Sequence, residues 1–199
     1  MPYTKQLQNW IRNYPATFTL IAICVLVWLA EIVLGPNFVA RGIFAPVVSG
    51  AEPWRAVTSV FMHNWTNPLH ILFNMIALGF SGPIFEQIFG RVKYVSIFVI
   101  SGVAGNIFMG LWYWVFGGGY AVVSLGASGA VFGLFGGLMV LHRRLGANAK
   151  GIYLTVGINL LMSFYIANLA WQAHVGGLIA GVVTTWVFIK YSTNRFPNA

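Results

Sequence analysis

Charged residues are scarce in this chain, 7% of 199, against a hydrophobic share of 58% and a mean hydropathy of +0.78. So apolar a chain cannot solvate an ordinary globular surface, which excludes a soluble domain and makes the lipid bilayer its solvent. Acids are rarest: Glu31, Glu52 and Glu86 stand alone against eleven Lys and Arg. The resulting +8 balance would suggest nucleic acid in a soluble protein, but here the placement of the basic residues matters more than their sum, and nucleic acid drops out as a partner. Cysteine occurs once, at Cys24 in an apolar stretch, so an intrachain disulfide and a Cys-rich metal centre are both excluded. The four histidines, His63, His70, His142 and His174, show no zinc spacing, and no metal or other cofactor is expected.

What is present is a succession of six apolar stretches, about Thr17 to Leu34, Leu69 to Phe89, Tyr94 to Phe116, Ser128 to Leu141, Ile152 to Ala170 and Val175 to Tyr191. They predict an all-α membrane protein, one domain over residues 1–199, with six transmembrane helices. Lys5 and Arg12 precede the first stretch as they would in a signal peptide, but no small-residue cleavage site follows, so it is read as a retained helix. The long connection from Gly35 to Pro68, with Trp54 and Trp65, is expected to be functional or partly helical at the membrane interface. If the amino terminus is cytoplasmic, nine basic residues fall inside and only Arg41 and Arg55 outside, which places both termini in the cytoplasm. The second, fourth and sixth helices then enter from the outer side, and their first turns carry His70, Ser128 and His174 at one depth.

An ionisable residue inside an apolar bundle is a functional-site hypothesis with a partner to be named. Ser128, in Gly126-Ala127-Ser128-Gly129, becomes a nucleophile if a base such as His174 takes its proton. From Ser128 to Leu141 the fourth helix is ~21 Å long against a hydrocarbon core of ~30 Å. With Arg143 and Arg144 anchoring its inner end, Ser128 is expected several Å below the outer surface, beneath the connector Gly117-Gly118-Gly119. Gly129, Gly133 and Gly137 recur on one face of this helix, and His174, Gly177 and Gly181 share a face of the sixth. Such faces pack bundles whatever their function, but both stripes begin at a candidate catalytic residue. Asn67-Pro68 caps the second helix, after which His70 and Asn74 share a face. They are either a structural polar pair or, with the N–H of Ser128, donors to the oxyanion of a tetrahedral intermediate.

These residues resemble a known family, the rhomboid intramembrane serine proteases. The resemblance rests on His70-x-x-x-Asn74, Gly126-x-Ser128-Gly129 and Ala173-His174-x-x-Gly177-x-x-x-Gly181 in that order, with Trp54-Arg55, Glu86 and Gly90 as further signatures. It implies a six-helix rhomboid-like bundle with a short, submerged fourth helix. It also implies proteolysis by a Ser-His dyad: Ser128 as nucleophile, His174 as base and acid, His70 and Asn74 as oxyanion donors, and Gly126, Gly129, Phe132 and Gly177 in support. Phe132 stands where some members carry a tyrosine, keeping the stacking surface without a hydroxyl. His63 lies seven residues before His70, two more than the family's common spacing, and receives no catalytic role.

No acid is placed to orient His174. Glu86 sits at the inner end of the second helix, Glu31 is expected to snorkel at the outer end of the first, and Glu52 to be solvated. A transporter would show more intramembrane ionisable groups or paired broken helices. An inactive rhomboid-like binder of transmembrane clients is the alternative that the presence of both Ser128 and His174 argues against. The expected partners are transmembrane protein substrates and the bilayer, and the short chain without a transit peptide fits a prokaryotic cell membrane as a multi-pass protein.

Overall fold

Proline starts these helices and glycine stops them. The computed structural model describes residues 2–117, 123–165 and 170–191. Within them the order is α1 (Pro2–Asn13), α2 (Pro15–Leu34), α3 (Pro36–Gly42), α4 (Pro46–Ser49), α5 (Arg55–Thr58), α6 (Pro68–Phe89), α7 (Arg91–Phe116), α8 (Ser128–Arg144), α9 (Lys150–Tyr165) and α10 (Trp171–Lys190). Proline occupies the first turn of α2, α3, α4 and α6, where its missing N–H would have no acceptor anyway. Gly35, Gly90 and Gly117 follow α2, α6 and α7 with φ of 72°, 76° and 73°, returning their N–H groups to Glu31, Glu86 and Tyr113.

Among the described residues, four helices are long and apolar enough to cross a membrane: α2, α6, α7 and α10. The other two expected spans are shorter. Helix α8 runs three residues past Leu141, because His142, Arg143 and Arg144 suit the negative end of a helix dipole. At 17 residues it still reaches only about 25 Å. Helix α9 has 16 residues; residues 166–169 of the expected stretch lie outside the described residues, as do Gly118 and Gly119 of the expected connector. Helix α1 was not legible as an element, since it is too polar to enter the apolar count.

The long connection folds into α3, α4 and α5 and is tied down by buried polar groups. Arg55, 8% exposed, donates to the Glu52 carboxylate and to the carbonyls of Ala40 and Ile43, the last at 3.0 Å. Glu31 does not snorkel as expected. It is fully buried and accepts the N–H of His63 at 3.0 and 3.2 Å, fastening the end of the connection to α2. Burial and the neighbouring His70 push the His63 imidazole down to about 3, so it stays neutral at physiological pH, with Nδ1 3.3 Å from the Phe61 carbonyl. At the opposite end of α6, Glu86 accepts from the N–H groups of Ala16 and Thr17 and from Thr17 Oγ1, each at 2.9 Å. A carboxylate on the first turn of α2 satisfies orphan donors and meets the positive end of its dipole.

Helices α7, α8 and α10 form the centre, and their contact is made by backbone. A Cβ on Gly181 would overlap the Gly133 carbonyl, one on Gly177 that of Gly129, and one on Gly105 that of Ala173. Gly137 faces Phe85 and Thr185 instead. Phe85, Tyr94, Leu134 and Leu138 belong to the apolar core cluster beside this contact. Without a hydrophobic drive between helices in lipid, such close approach is what gains dispersion energy. Gly181→Ala should therefore destabilise the bundle by roughly 1–3 kcal/mol, read as a lowered melting temperature in detergent. Gly157→Ala, whose Cβ meets nothing within 4 Å, should leave it unchanged or slightly higher.

Candidate active site

The chain enters α8 through a turn that only glycine can make. Gly126 has φ of 117°, and a Cβ there would stand 2.7 Å from His70 Cε1 and 3.0 Å from its Nε2. The turn is pinned from outside: Gly126 N–H donates to Ser59 O at 2.8 Å, and Ser124 exchanges backbone bonds with Phe44 at 2.8 and 3.0 Å. Asn106, buried in α7, in turn donates to Ala56 O and Ser59 Oγ, both at 2.9 Å. Irregular backbone can persist in an apolar surrounding when each of its polar groups finds such a partner.

Ser128 opens α8, where the first N–H groups have no intrahelical acceptor and carry the positive end of the dipole. The glycine contact brings the first turn of α10 alongside. His174 is 6% exposed; its Nε2 lies 2.8 Å from Ser128 Oγ and its Nδ1 2.7 Å from Ser163 Oγ of α9. Phe132, one turn beyond Ser128, stacks on the imidazole with centroids 4.5 Å apart and planes at 16°. Gly129 keeps the approach open, its would-be Cβ being 3.3 Å from Ala173 O.

On the other side of Gly126 stand His70 and Asn74 of α6. His70 Nδ1 accepts the N–H of Asn64 at 3.2 Å, so a neutral ring carries its proton on Nε2, the nitrogen beside Gly126. Asn74 gives one amide hydrogen to His70 O at 2.9 Å and keeps the other, with Nδ2 3.8 Å from the Gly126 Cβ position. His70 and Asn74 thus flank Gly126 two residues before Ser128, and Ser128 bonds His174, with Phe132 on the ring and Gly129 against Gly177 beside them. Among the described residues no carboxylate bonds His174, and no group of three or more His, Cys, Asp or Glu is arranged to hold a metal ion. Sequence reasoning missed Ser163, Ser59 and Asn106. Nothing in their spacing marks them, since each acts on a residue of another element.

A hydroxyl bonded to a buried imidazole, beside N–H donors with no acceptor, can form and stabilise a tetrahedral oxyanion. The family model for the Rhomboid domain matches residues 50–191. The Bacillus subtilis rhomboid-type protein YdcA is 30% identical over 208 residues, covering 97% of this chain and 98% of its own length. Rhomboid protease GlpG of Salmonella newport is 31% identical over 202 residues, 94% of this chain and 67% of GlpG. RHOMBOID-like protein 1 of Arabidopsis thaliana is 33% identical over 152 residues; the match takes in 72% of this chain and 36% of that longer protein. With most of its length inside the domain and a relative matched end to end, this integral membrane protein belongs to the rhomboid family.

Proposed function

We propose that the protein is an intramembrane serine endopeptidase that cleaves transmembrane protein substrates near the outer side of the membrane. The observation that carries this reading is the 2.8 Å contact of Ser128 Oγ with His174 Nε2 inside an apolar bundle. Ser128 Oγ attacks the scissile carbonyl carbon as its proton passes to His174 Nε2. The oxyanion that forms is met by the N–H of Ser128, the Nε2–H of His70 and the free amide hydrogen of Asn74. On collapse the C–N bond breaks and His174 returns the proton to the leaving amine. Water, deprotonated by His174, then releases the acyl group and regenerates Ser128.

The proposed membrane arrangement is six spans, α2 and α6 to α10, in one domain over residues 1–199 with both termini in the cytoplasm of a prokaryotic cell. The about 25 Å of α8, anchored inside by Arg143 and Arg144, leaves Ser128 below the outer surface, where water can reach it through irregular backbone. A substrate helix must unwind locally to present an extended peptide bond, because its own hydrogen bonds shield that bond otherwise. The protease names of relatives such as GlpG support the same reading.

Purified Ser128→Ala and His174→Ala proteins should each lose cleavage of a generic transmembrane reporter while keeping melting temperature and insertion. Because nucleophile and base act as a unit, either loss should equal the loss in the double variant. Near-normal turnover by folded Ser128→Ala protein contradicts the proposal, and an inactive wild type that still retains the reporter points to a client binder. His70→Ala and Asn74→Ala should each lower kcat by roughly 10²-fold with little change in KM, as for one oxyanion donor. Activity falling only in proportion to melting temperature would mark them as a structural pair.

A further inference from the structure

A serine hydroxyl carries one proton, and the surroundings of Ser163 decide where it goes. Ser163 Oγ lies 2.7 Å from the Asn159 carbonyl and 2.7 Å from His174 Nδ1. A carbonyl can only accept, so when the hydroxyl proton lies on the Asn159 O bond, Ser163 Oγ meets the imidazole as an acceptor. In that arrangement Nδ1 is the protonated ring nitrogen. In the neutral ring this leaves a lone pair on Nε2, aimed at the Ser128 hydroxyl 2.8 Å away. It is the one neutral tautomer in which His174 can take the Ser128 proton; the other would present N–H to Oγ.

We infer that Ser163 is the positioning residue of this site, an uncharged third member that holds His174 in the Nδ1–H tautomer and orients its ring. The inference rests on the proposed roles of Ser128 and His174. The backbone bond alone marks nothing, since Ser81 and Ser96 bond the carbonyl four residues back in the same way. Ser163 differs in meeting a ring nitrogen from another helix. It is 3% exposed, and Val156 is the only other buried residue of α9 among those described. The outer end of α9 is braced at this level: the Phe164 ring lies 4.8 Å from Trp171, which sits one turn before His174 and 4.9 Å from Trp112 of α7. With Phe132 stacked on its face and Ser163 bonded to its edge, the imidazole has little freedom to rotate. A carboxylate here would orient the ring more strongly but would have to be buried as a charge in an apolar surrounding. A hydroxyl fixes the tautomer without that desolvation cost, and its lone pair also stabilises the imidazolium formed during attack.

Full-length purified protein, reconstituted with a transmembrane reporter, tests this through Ser163→Ala and Ser163→Thr. Ser163→Ala should lower kcat by roughly 10- to 100-fold, the range typical when the group that fixes a metal-bound histidine's tautomer is lost, with KM little changed. Ser163→Thr, which keeps the hydroxyl, should recover most of kcat. Histidine 15N spectra, with the His174 signals assigned by their loss in His174→Ala, supply a readout independent of proteolysis. Wild type should show a protonated Nδ1 and an unprotonated Nε2, and Ser163→Ala a mixture or the reverse. A wild-type His174 protonated on Nε2 overturns the inference even if the variants fail to fold, as does a folded Ser163→Ala protein with unchanged kcat and tautomer. Failure of the protease reading looks different: Ser128→Ala would keep turnover while the tautomer result stood.

Discussion

Two helix backbones touch here with no side chain between them, and the Ser128–His174 geometry hangs on that contact. Gly177 lies against Gly129 and Gly181 against Gly133, while Gly105 of α7 admits the Ala173 carbonyl beside the histidine. Lipid exerts no hydrophobic force that would push these helices together, so the association depends on dispersion between closely fitted surfaces. One methyl group at Gly177 or Gly181 would push α8 from α10, and one at Gly105 would push α7 from α10. A displacement of about 1 Å at reacting atoms can lower a rate by about 10²-fold, so packing further along the helices and the geometry at their first turns are parts of one constraint.

The second organising feature is that polar groups are satisfied across elements. Glu86 of α6 serves the first turn of α2, Glu31 of α2 takes the N–H of His63, and Asn106 of α7 holds the segment that receives Gly126. In water each of these groups could be left to solvent. In an apolar surrounding an unpaired donor or acceptor is costly, so the connections act as struts and the turn before Ser128 has a defined shape. That rigidity is what a preorganised oxyanion site requires.

Much of this was readable from residue spacing. Apolar runs located α2, α6, α7, α8, α9 and α10, since hydropathy over a long window is a strong signal, and the glycine stripes of α8 and α10 meet on the faces that their periods of three and four imply. Helix ends were less legible: α8 continues to Arg144 because basic side chains favour a helix C-terminus. Helices α3 to α5 were anticipated only as partial helicity, since their prolines mark starts without fixing lengths. Glu31 was misjudged because its burial depends on a connection that folds back over thirty residues later in the chain. Ser163 escaped notice for the same reason: its meaning lies in a partner eleven residues on and on another helix.

Covalent chemistry tests whether Ser128 is a nucleophile activated by His174. Purified protein is treated with a fluorophosphonate, and the adduct is located by intact mass and peptide mapping. A single phosphonyl group should be found on Ser128 Oγ, with labelling slowed severely in His174→Ala protein. An adduct at another serine, or an equal rate of labelling with and without His174, would contradict that role.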